Sequence, residues 1–496
     1  MKDTSTDKRW KADELAGILD GTWVTAPPPE WFADSFTINE KYIPQNAVFI
    51  ALSEDTKTDE DENPRLSEKI RSIEKNICGV ITRKRVFFIS PDLPQLIVED
   101  SSAVIEKLAL NARNSTNSKV ICITGAKHRN YVRQLTDFLL QVNNTTYTNG
   151  PADNKSIDNL LSLASSKHGP DYIILETFYY DIRKGNGRLC HQLAPHICVI
   201  TDAGITDREV KNPEKSLQHK LNFCQHINNE GIVIISGEMK YYELVRNELS
   251  RMGVKTISYG FTEACDVRAV SYEVSESGYL INAVARGKEI EYYLPVYGKA
   301  MLESSLAALA IMDTAGVKME QTEHLASFIM PEGDRNFDAL PFKKGSVYFI
   351  DDSRYNTLSS LIFALDTFKD LEINEGGKKI AVLGEILFSG RQTNEQFIEA
   401  LDSFEFDTVL FYGKEMAEIY RLMPDDFEKM IYYKEVNVID DILDNLWEND
   451  LVYLKGGNLD KTPQRLHKRI IRSNRFKYNW VIAIAILVGL FVIRLI

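Results

Sequence analysis

Lys119-Val-Ile-Cys-Ile-Thr-Gly125-Ala-Lys-His128-Arg-Asn-Tyr131 is the stretch that decides the fold. From Val120 to Thr124 no charged residue interrupts the run, which is how a strand buried on both faces reads. Gly125 then turns the chain into a segment of helical spacing. Apolar runs recur at Tyr172-Ile-Ile-Leu175, Ile197-Cys-Val-Ile200 and Ile232-Val-Ile-Ile235, each separated by enough chain for a crossover helix. This alternation predicts an α/β fold with a central doubly wound parallel sheet, and ligands of such sheets bind beyond the carboxyl ends of the strands. Thr124-Gly125, Glu176, Thr201-Asp202 and Ser236-Gly237 stand at those ends, so chemistry is expected there.

Outward from this centre (113–329) the composition changes twice. Residues 1–112 mix a helical pattern at Lys11–Leu19 with short buried strands at Asn46–Leu52 and Cys78–Thr82, and read as a compact α/β unit. After Pro331 a second alternation begins, with Val347–Ile350, Ile380–Leu383, Val409–Phe411 and Leu451–Leu454 as strands, so residues 330–460 form a further α/β domain. A chain of 496 residues accommodates about three such domains. The hydrophobic share of 44% and charged share of 26% exclude collagen-like and largely disordered chains. The six cysteines include no C-x-x-C pair, which favours reduced thiols over a zinc cluster or disulfide framework. The acidic run Glu54–Asn63 reads as a solvated loop.

Charge separates the tail from the body. Residues 461–496 hold eight Lys/Arg and no acid, so the net −13 divides into −21 for residues 1–460 and +8 for the tail. Such an acidic body argues against nucleic-acid binding. Residues 461–479 read as a basic juxtamembrane linker and residues 480–496 as a transmembrane anchor. At ~1.5 Å per residue the apolar stretch covers about 25 Å, and Arg494 can snorkel to the far headgroups. The expectation is one C-terminal transmembrane helix, single-pass in the inner (cytoplasmic) membrane, with the body facing the cytoplasm by the positive-inside rule. A buried C-terminal helix of the last domain is the alternative. The N-terminus has no apolar h-region, so no signal peptide is expected.

Strand, glycine turn and helix is also the setting of a phosphate-binding loop, in which backbone N–H groups cradle phosphates. Such a loop needs a second glycine, then Lys and a hydroxyl; here those places hold His128, Arg129 and Asn130. With this loop, Glu176 and the order of the later segments, the chain resembles the Mur ligases, and within them the branch that adds D-alanyl-D-alanine. The resemblance runs over about residues 10–460. It implies a three-domain Mur-ligase-like architecture: an N-terminal substrate domain, a central ATPase domain and a C-terminal Rossmann-like domain. It further implies ATP and magnesium as cofactors, an acyl phosphate as intermediate and an amine as attacking group.

Residue by residue, the resemblance implies that Thr124, Gly125, Arg129 and Asn130 form the nucleotide loop and that Glu176 ligates Mg²⁺. In Thr201-Asp-Ala-Gly-Ile-Thr-Asp207, Asp207 takes the place of the family's metal-binding His, and its oxygen suits Mg²⁺. Lys220 best matches the lysine that the family carbamylates, although a small shift would place Cys224 there. Gly298-Lys-Ala-Met-Leu-Glu-Ser304 lacks the family's His and both Asn. Arg335, in Gly333-Asp-Arg335, matches a nucleotide-contacting Arg, and Asp351 and Asp352 match acids that contact nucleotide or close the domain interface. Helix capping by Asp352 or Ser353 is the other reading of that segment. On the uridine-nucleotide side Asn39-Glu-Lys41 stands where the family has Asp-Ser-Arg.

Glycines and apolar strands thus persist better than polar site residues. The first reading is a membrane-tethered degenerate ligase, acting as a scaffold or regulator with a protein partner in cell-envelope or polymer biosynthesis. The second is an active ATP-dependent carboxylate–amine ligase, joining a small-molecule carboxylate to an amine on an envelope or exopolymer precursor.

Overall fold

The computed structural model describes residues 9–455 apart from 41–42, 53–63, 126–127, 150–154, 205–211, 276–277, 297, 330–335, 343–344, 352–375, 385–394, 396, 400, 402–405, 425–429, 435–445 and 448. The acidic run at 54–63 and the tail at 461–496 lie outside the described residues. Among those described, no helix is long and apolar enough to cross a membrane.

The chain forms two compact units, one of residues 1–270, 282–290 and 303–324, the other of 271–281, 291–302 and 325–496. In the first, α1 (Ala12–Leu19), α2 (Pro64–Ile73) and α3 (Ser101–Ser115) accompany a five-stranded sheet of β1 (Thr22–Thr25), β2 (Ser35–Thr37), β3 (Ala47–Ile50), β4 (Ile77–Thr82) and β5 (Gln95–Ile97). The strand order is β1-β5-β4-β3-β2, with only β1 antiparallel to its neighbour.

The central sheet follows the β-α alternation of the sequence. It contains β6 (Lys119–Thr124), β7 (Thr146–Thr148), β8 (Tyr172–Glu176), β9 (Ile197–Ile200), β10 (Ile232–Ser236) and β11 (Lys255–Gly260). These strands run parallel in the order β11-β10-β9-β6-β8-β7. The sheet continues beyond β11 into β12 (Val267–Ser275), β13 (Gly278–Ala285) and β14 (Lys288–Leu294). Between the parallel strands lie α4 (Arg129–Gln141), α5 (Ser156–Ser165), α6 (Tyr179–Leu193), α7 (Pro213–Leu221) and α8 (Tyr242–Arg251). Every residue from Val120 to Thr124 is buried, as a strand covered on both faces requires. β6 pairs on one side with β8 and on the other with β9. The strand order therefore reverses around β6, which opens a crevice at its carboxyl end.

One core cluster is shared by the N-terminal sheet and α5. Trp10, Phe36, Val48, Ile81, Leu108 and Ala112 pack with Leu161 and Ala164. The Trp10 indole N–H donates to the Ala164 carbonyl at 3.0 Å, and its ring meets Phe36 edge-on at 5.5 Å. Burying the indole with its N–H satisfied avoids the desolvation penalty of an unpaired donor.

The second unit holds α9 (Lys299–Ala315) only in its first residues and is built mainly on a six-stranded sheet. Its strands are β15 (Asn336–Phe342), β16 (Gly345–Asp351), β17 (Lys379–Leu383), β18 (Thr408–Tyr412), β19 (Met430–Lys434) and β20 (Leu451–Lys455). The order is β15-β16-β20-β17-β18-β19, parallel except for β15. Helix α10 (Lys414–Leu422) follows β18, and Phe397, Leu401, Phe411, Met416, Ile419 and Tyr453 fill the core.

His196, just before β9, accepts the Val120 N–H on Nδ1 at 3.1 Å. Burial, and then the positive charges of Arg113 and Lys119, hold its pKa below the ordinary 6.5. The unfolded chain therefore takes up this proton at a higher pH than the folded one. Stability from His196 should be complete above about pH 6.5 and decline as pH falls below it. Urea unfolding of the first unit followed against pH should show this slope, and His196→Asn should flatten it.

Candidate functional site

The crevice at the end of β6 is formed by Thr124, Gly125 and the start of α4. Gly125 has φ +125°, and a Cβ there would lie 2.3 Å from Thr201 Oγ1 and 2.7 Å from the Asp202 amide. Only glycine fits where the loop passes so close to the end of β9. Thr201 N–H donates to the Thr124 carbonyl at 2.9 Å, and Thr124 Oγ1 donates to the Thr177 carbonyl at 3.0 Å. These bonds join the ends of β6, β8 and β9. His128 precedes α4 with φ +57°, the left-handed region that glycine enters without cost. The backbone has kept a glycine path although the residue is His; the ring stacks on Tyr131 at 6.1 Å between centroids.

Arg129 turns back into this crevice. Its Nη1 donates to the Gly125 carbonyl at 2.5 Å and its Nε lies 3.2 Å from Glu176 Oε1. The guanidinium also stands 5.1 Å from the centre of the Phe178 ring. From the next turn of α4, Arg133 brings Nε to 3.8 Å from Glu176 Oε2 and donates from Nη2 to Asn130 Oδ1 at 2.9 Å. Glu176 is 1% exposed. Its backbone is clamped by Asn149, which donates to the Glu176 carbonyl at 2.8 Å and accepts its N–H at 2.9 Å. A carboxylate so deeply buried requires opposite charge, and two guanidinium groups supply it.

Lys220, 4% exposed, donates from Nζ to the Gly204 carbonyl, while Asp202 accepts the Gly204 N–H at 2.6 Å. Lys220 thus fastens the loop after β9. Asp351 ends β16, in register with Asn336 and Leu454. Asp207, Arg335 and Asp352 lie outside the described residues, as do the Lys41 and Tyr42 positions beside Asn39 and Glu40. A separate cavity of about 560 Å³ is lined by Thr37, Asn39, Glu40, Thr148, Asn149 and Asp158, among others. It joins the segment Asn39-Glu40 to Asn149, which holds the Glu176 backbone.

The Mur ligase middle domain family matches residues 128–312. The UDP-N-acetylmuramoyl-tripeptide–D-alanyl-D-alanine ligase of Rickettsia prowazekii is 22% identical over 85% of this chain and 93% of its own length. That of Bacillus subtilis is 23% identical over 89% and 94%. A crystal structure of MurF from Acinetobacter baumannii superposes with a TM-score of 0.73 at 17% identity, over 94% of this chain and 99% of that one. Residues 128–312 thus carry the likeness to a Mur ligase middle domain. The chain is MurF-like in sequence and in fold. MurF from Thermotoga maritima in complex with ADP superposes with a TM-score of 0.65 at 19% identity, over 88% and 98%.

Within this Mur ligase frame the structure brings Gly125, Arg129 and Glu176 together, with Thr124 beneath them and Asn130 held by Arg133. The two oxygens of Glu176 face guanidinium groups. Among the described residues, the Glu176 carboxylate is charge-compensated by guanidinium groups of the same chain. Among the described residues no group of three or more His, Cys, Asp or Glu side chains is arranged to hold a metal ion. Sequence reasoning missed Arg133 and Asn149. The spacing of Arg129 and Arg133, four apart and hence on one helical face, was the available signal for the first. Asn149 carried none.

Glu176→Gln separates two roles. If the carboxylate balances Arg129 and Arg133, the neutral amide leaves buried guanidinium groups without their counter-charge. Stability should fall by ~3–5 kcal/mol, the cost of breaking a buried pair from one side. A carboxylate held in place for a metal would instead give a variant as stable as the parent, or more so, in metal-free urea unfolding.

Proposed function

We propose that this chain is a degenerate MurF-like protein, a scaffold or regulator of cell-envelope or polymer biosynthesis, held at the inner membrane by its C-terminal segment. The Arg129–Glu176 pair carries this reading. In a working phosphate loop a lysine meets the nucleotide phosphates and a hydroxyl meets Mg²⁺. Here the cation in that region is spent on the chain's own carboxylate and carbonyl. The fork of Arg129 is held by Gly125, Glu176 and Phe178 together, so releasing it forfeits all three contacts. Without the family's His and Asn residues near 300–304, little is left to repay that loss.

The active-ligase reading keeps support from the preserved loop path at Gly125 and His128 and from relatives of matching length named as ligases. On that reading, ATP and Mg²⁺ would have to draw Arg129 away from Glu176, with Lys220, Asp207, Arg335, Asp351 and Asp352 serving as the resemblance implies. The three-part division at 1–112, 113–329 and 330–460 belongs to both readings.

Calorimetric titration of the full chain with a non-hydrolysable ATP analogue and Mg²⁺ should give no micromolar binding. Loss of a single such donor commonly costs ~10²–10³ in rate, and several are changed together. Micromolar binding by the unaltered chain would establish the ligase reading instead. Separately, the full chain should pellet with membranes and resist high-salt extraction, because salt screens the basic linker but leaves apolar burial intact. Release by salt alone would remove the tether.

A further inference from the structure

The N-terminal sheet carries a loop that lies outside the candidate site described above. After β4 the chain runs Arg83-Lys-Arg-Val-Phe-Phe-Ile89. Arg83, Lys84, Arg85, Phe87 and Phe88 are exposed, Phe88 by 66% and Phe87 by 44%, while Val86 between them is buried. Two adjacent aromatic rings in water beside three cations are unusual on a body of net charge −21.

The loop is fixed in this form. Arg71 of α2 donates from Nε and Nη2 to the Phe88 carbonyl at 3.0 and 2.5 Å. Buried Gln95 accepts the Val86 N–H at 3.0 Å, and Glu74 accepts the Ser90 N–H at 2.9 Å. Between these clamps Phe88 has φ +61°, a left-handed conformation that a bulky residue adopts only when its surroundings impose it. The fold spends backbone strain and three clamps to aim two phenylalanines outward. Arg85 lies 5.7 Å from the Phe87 ring centre, so charge and aromatic surface are presented together.

We propose that residues 83–88 form a membrane-contact site that lays Phe87 and Phe88 into the headgroup–acyl boundary of an anionic bilayer, with Lys84 and Arg85 on the lipid phosphates. The chemistry is complementary: aromatic rings favour the interface, and basic side chains favour an anionic leaflet. Without such a local basic loop the acidic body would be repelled from that surface. The shape also favours a bilayer over a protein. A stable protein interface takes about 800 Å² per partner, whereas two protruding rings supply a few hundred at most, and a deformable surface accepts them without a matching pocket. Apart from Phe87 and Phe88, the exposed large hydrophobics described in residues 9–112 are only Val24 and Leu110. The proposal shares a membrane location with the tether reading but stands on the loop alone.

The test is hydrogen–deuterium exchange on the full chain with vesicles of phosphatidylcholine–phosphatidylglycerol and of phosphatidylcholine alone, compared with the free chain. Exchange across residues 83–90 should slow on the anionic vesicles and not on the neutral ones. Lys84→Glu/Arg85→Glu should weaken this protection about 20-fold or more, at roughly fivefold per basic residue. Phe87→Ser/Phe88→Ser should abolish it. Both variants alter exposed side chains, and unchanged exchange in β3 and β4 verifies that the sheet is intact. Pelleting of the chain without protection of 83–90 would leave a tether and overturn the contact site. Equal protection on both vesicles, or protection by polyglutamate but not by lipid, would overturn it too, the latter pointing to an acidic protein partner.

Discussion

Glu176 is a carboxylate at the end of a central strand with almost no access to water, and the site around it is organised by the need to balance that charge. Arg129 and Arg133 approach from one face of α4, and Asn149 holds the backbone from the other side. The pair also fixes where α4 begins, since Arg129 is its first residue and is bonded to the Gly125 carbonyl. Loop, helix start and strand end are thereby one electrostatic unit. Here positive and negative partners come from the same chain.

Most of the central framework was legible in the sequence because its strands are buried on both faces. The runs at Val120, Tyr172, Ile197 and Ile232 became β6, β8, β9 and β10, and those at Val347, Ile380, Val409 and Leu451 fall within β16, β17, β18 and β20. What escaped notice was polar or short. Thr146–Thr148 is a three-residue edge strand with no apolar run, and β12 to β14 mix polar and apolar residues in a segment where no strand was named. The site was half legible. Residue types at the strand ends picked out Gly125, Arg129 and Glu176, but not that two of them pair with each other. Ion pairing depends on rotamers and on which helix face meets the sheet, and a strand-end motif does not encode that.

His128 shows how a backbone can outlast the residues that suited it. The left-handed turn before α4 has no need of an imidazole, and a residue with a Cβ is strained there. Three residues earlier, the close approach of Gly125 to Thr201 and Asp202 fixes the chain at the end of β6. Changing a side chain is a local event, whereas changing that turn would move β6 relative to β9.

The cluster that joins Trp10, Phe36 and Leu108 to Leu161 and Ala164 bears on how this protein can be divided. A cut near residue 112 looks natural on composition, yet it would strip α5 from the apolar face it covers and leave the Trp10 indole N–H without the Ala164 carbonyl. The N-terminal sheet would then expose its own interior to water. A piece ending near residue 112 would therefore lack the α5 side chains that close this part of its core.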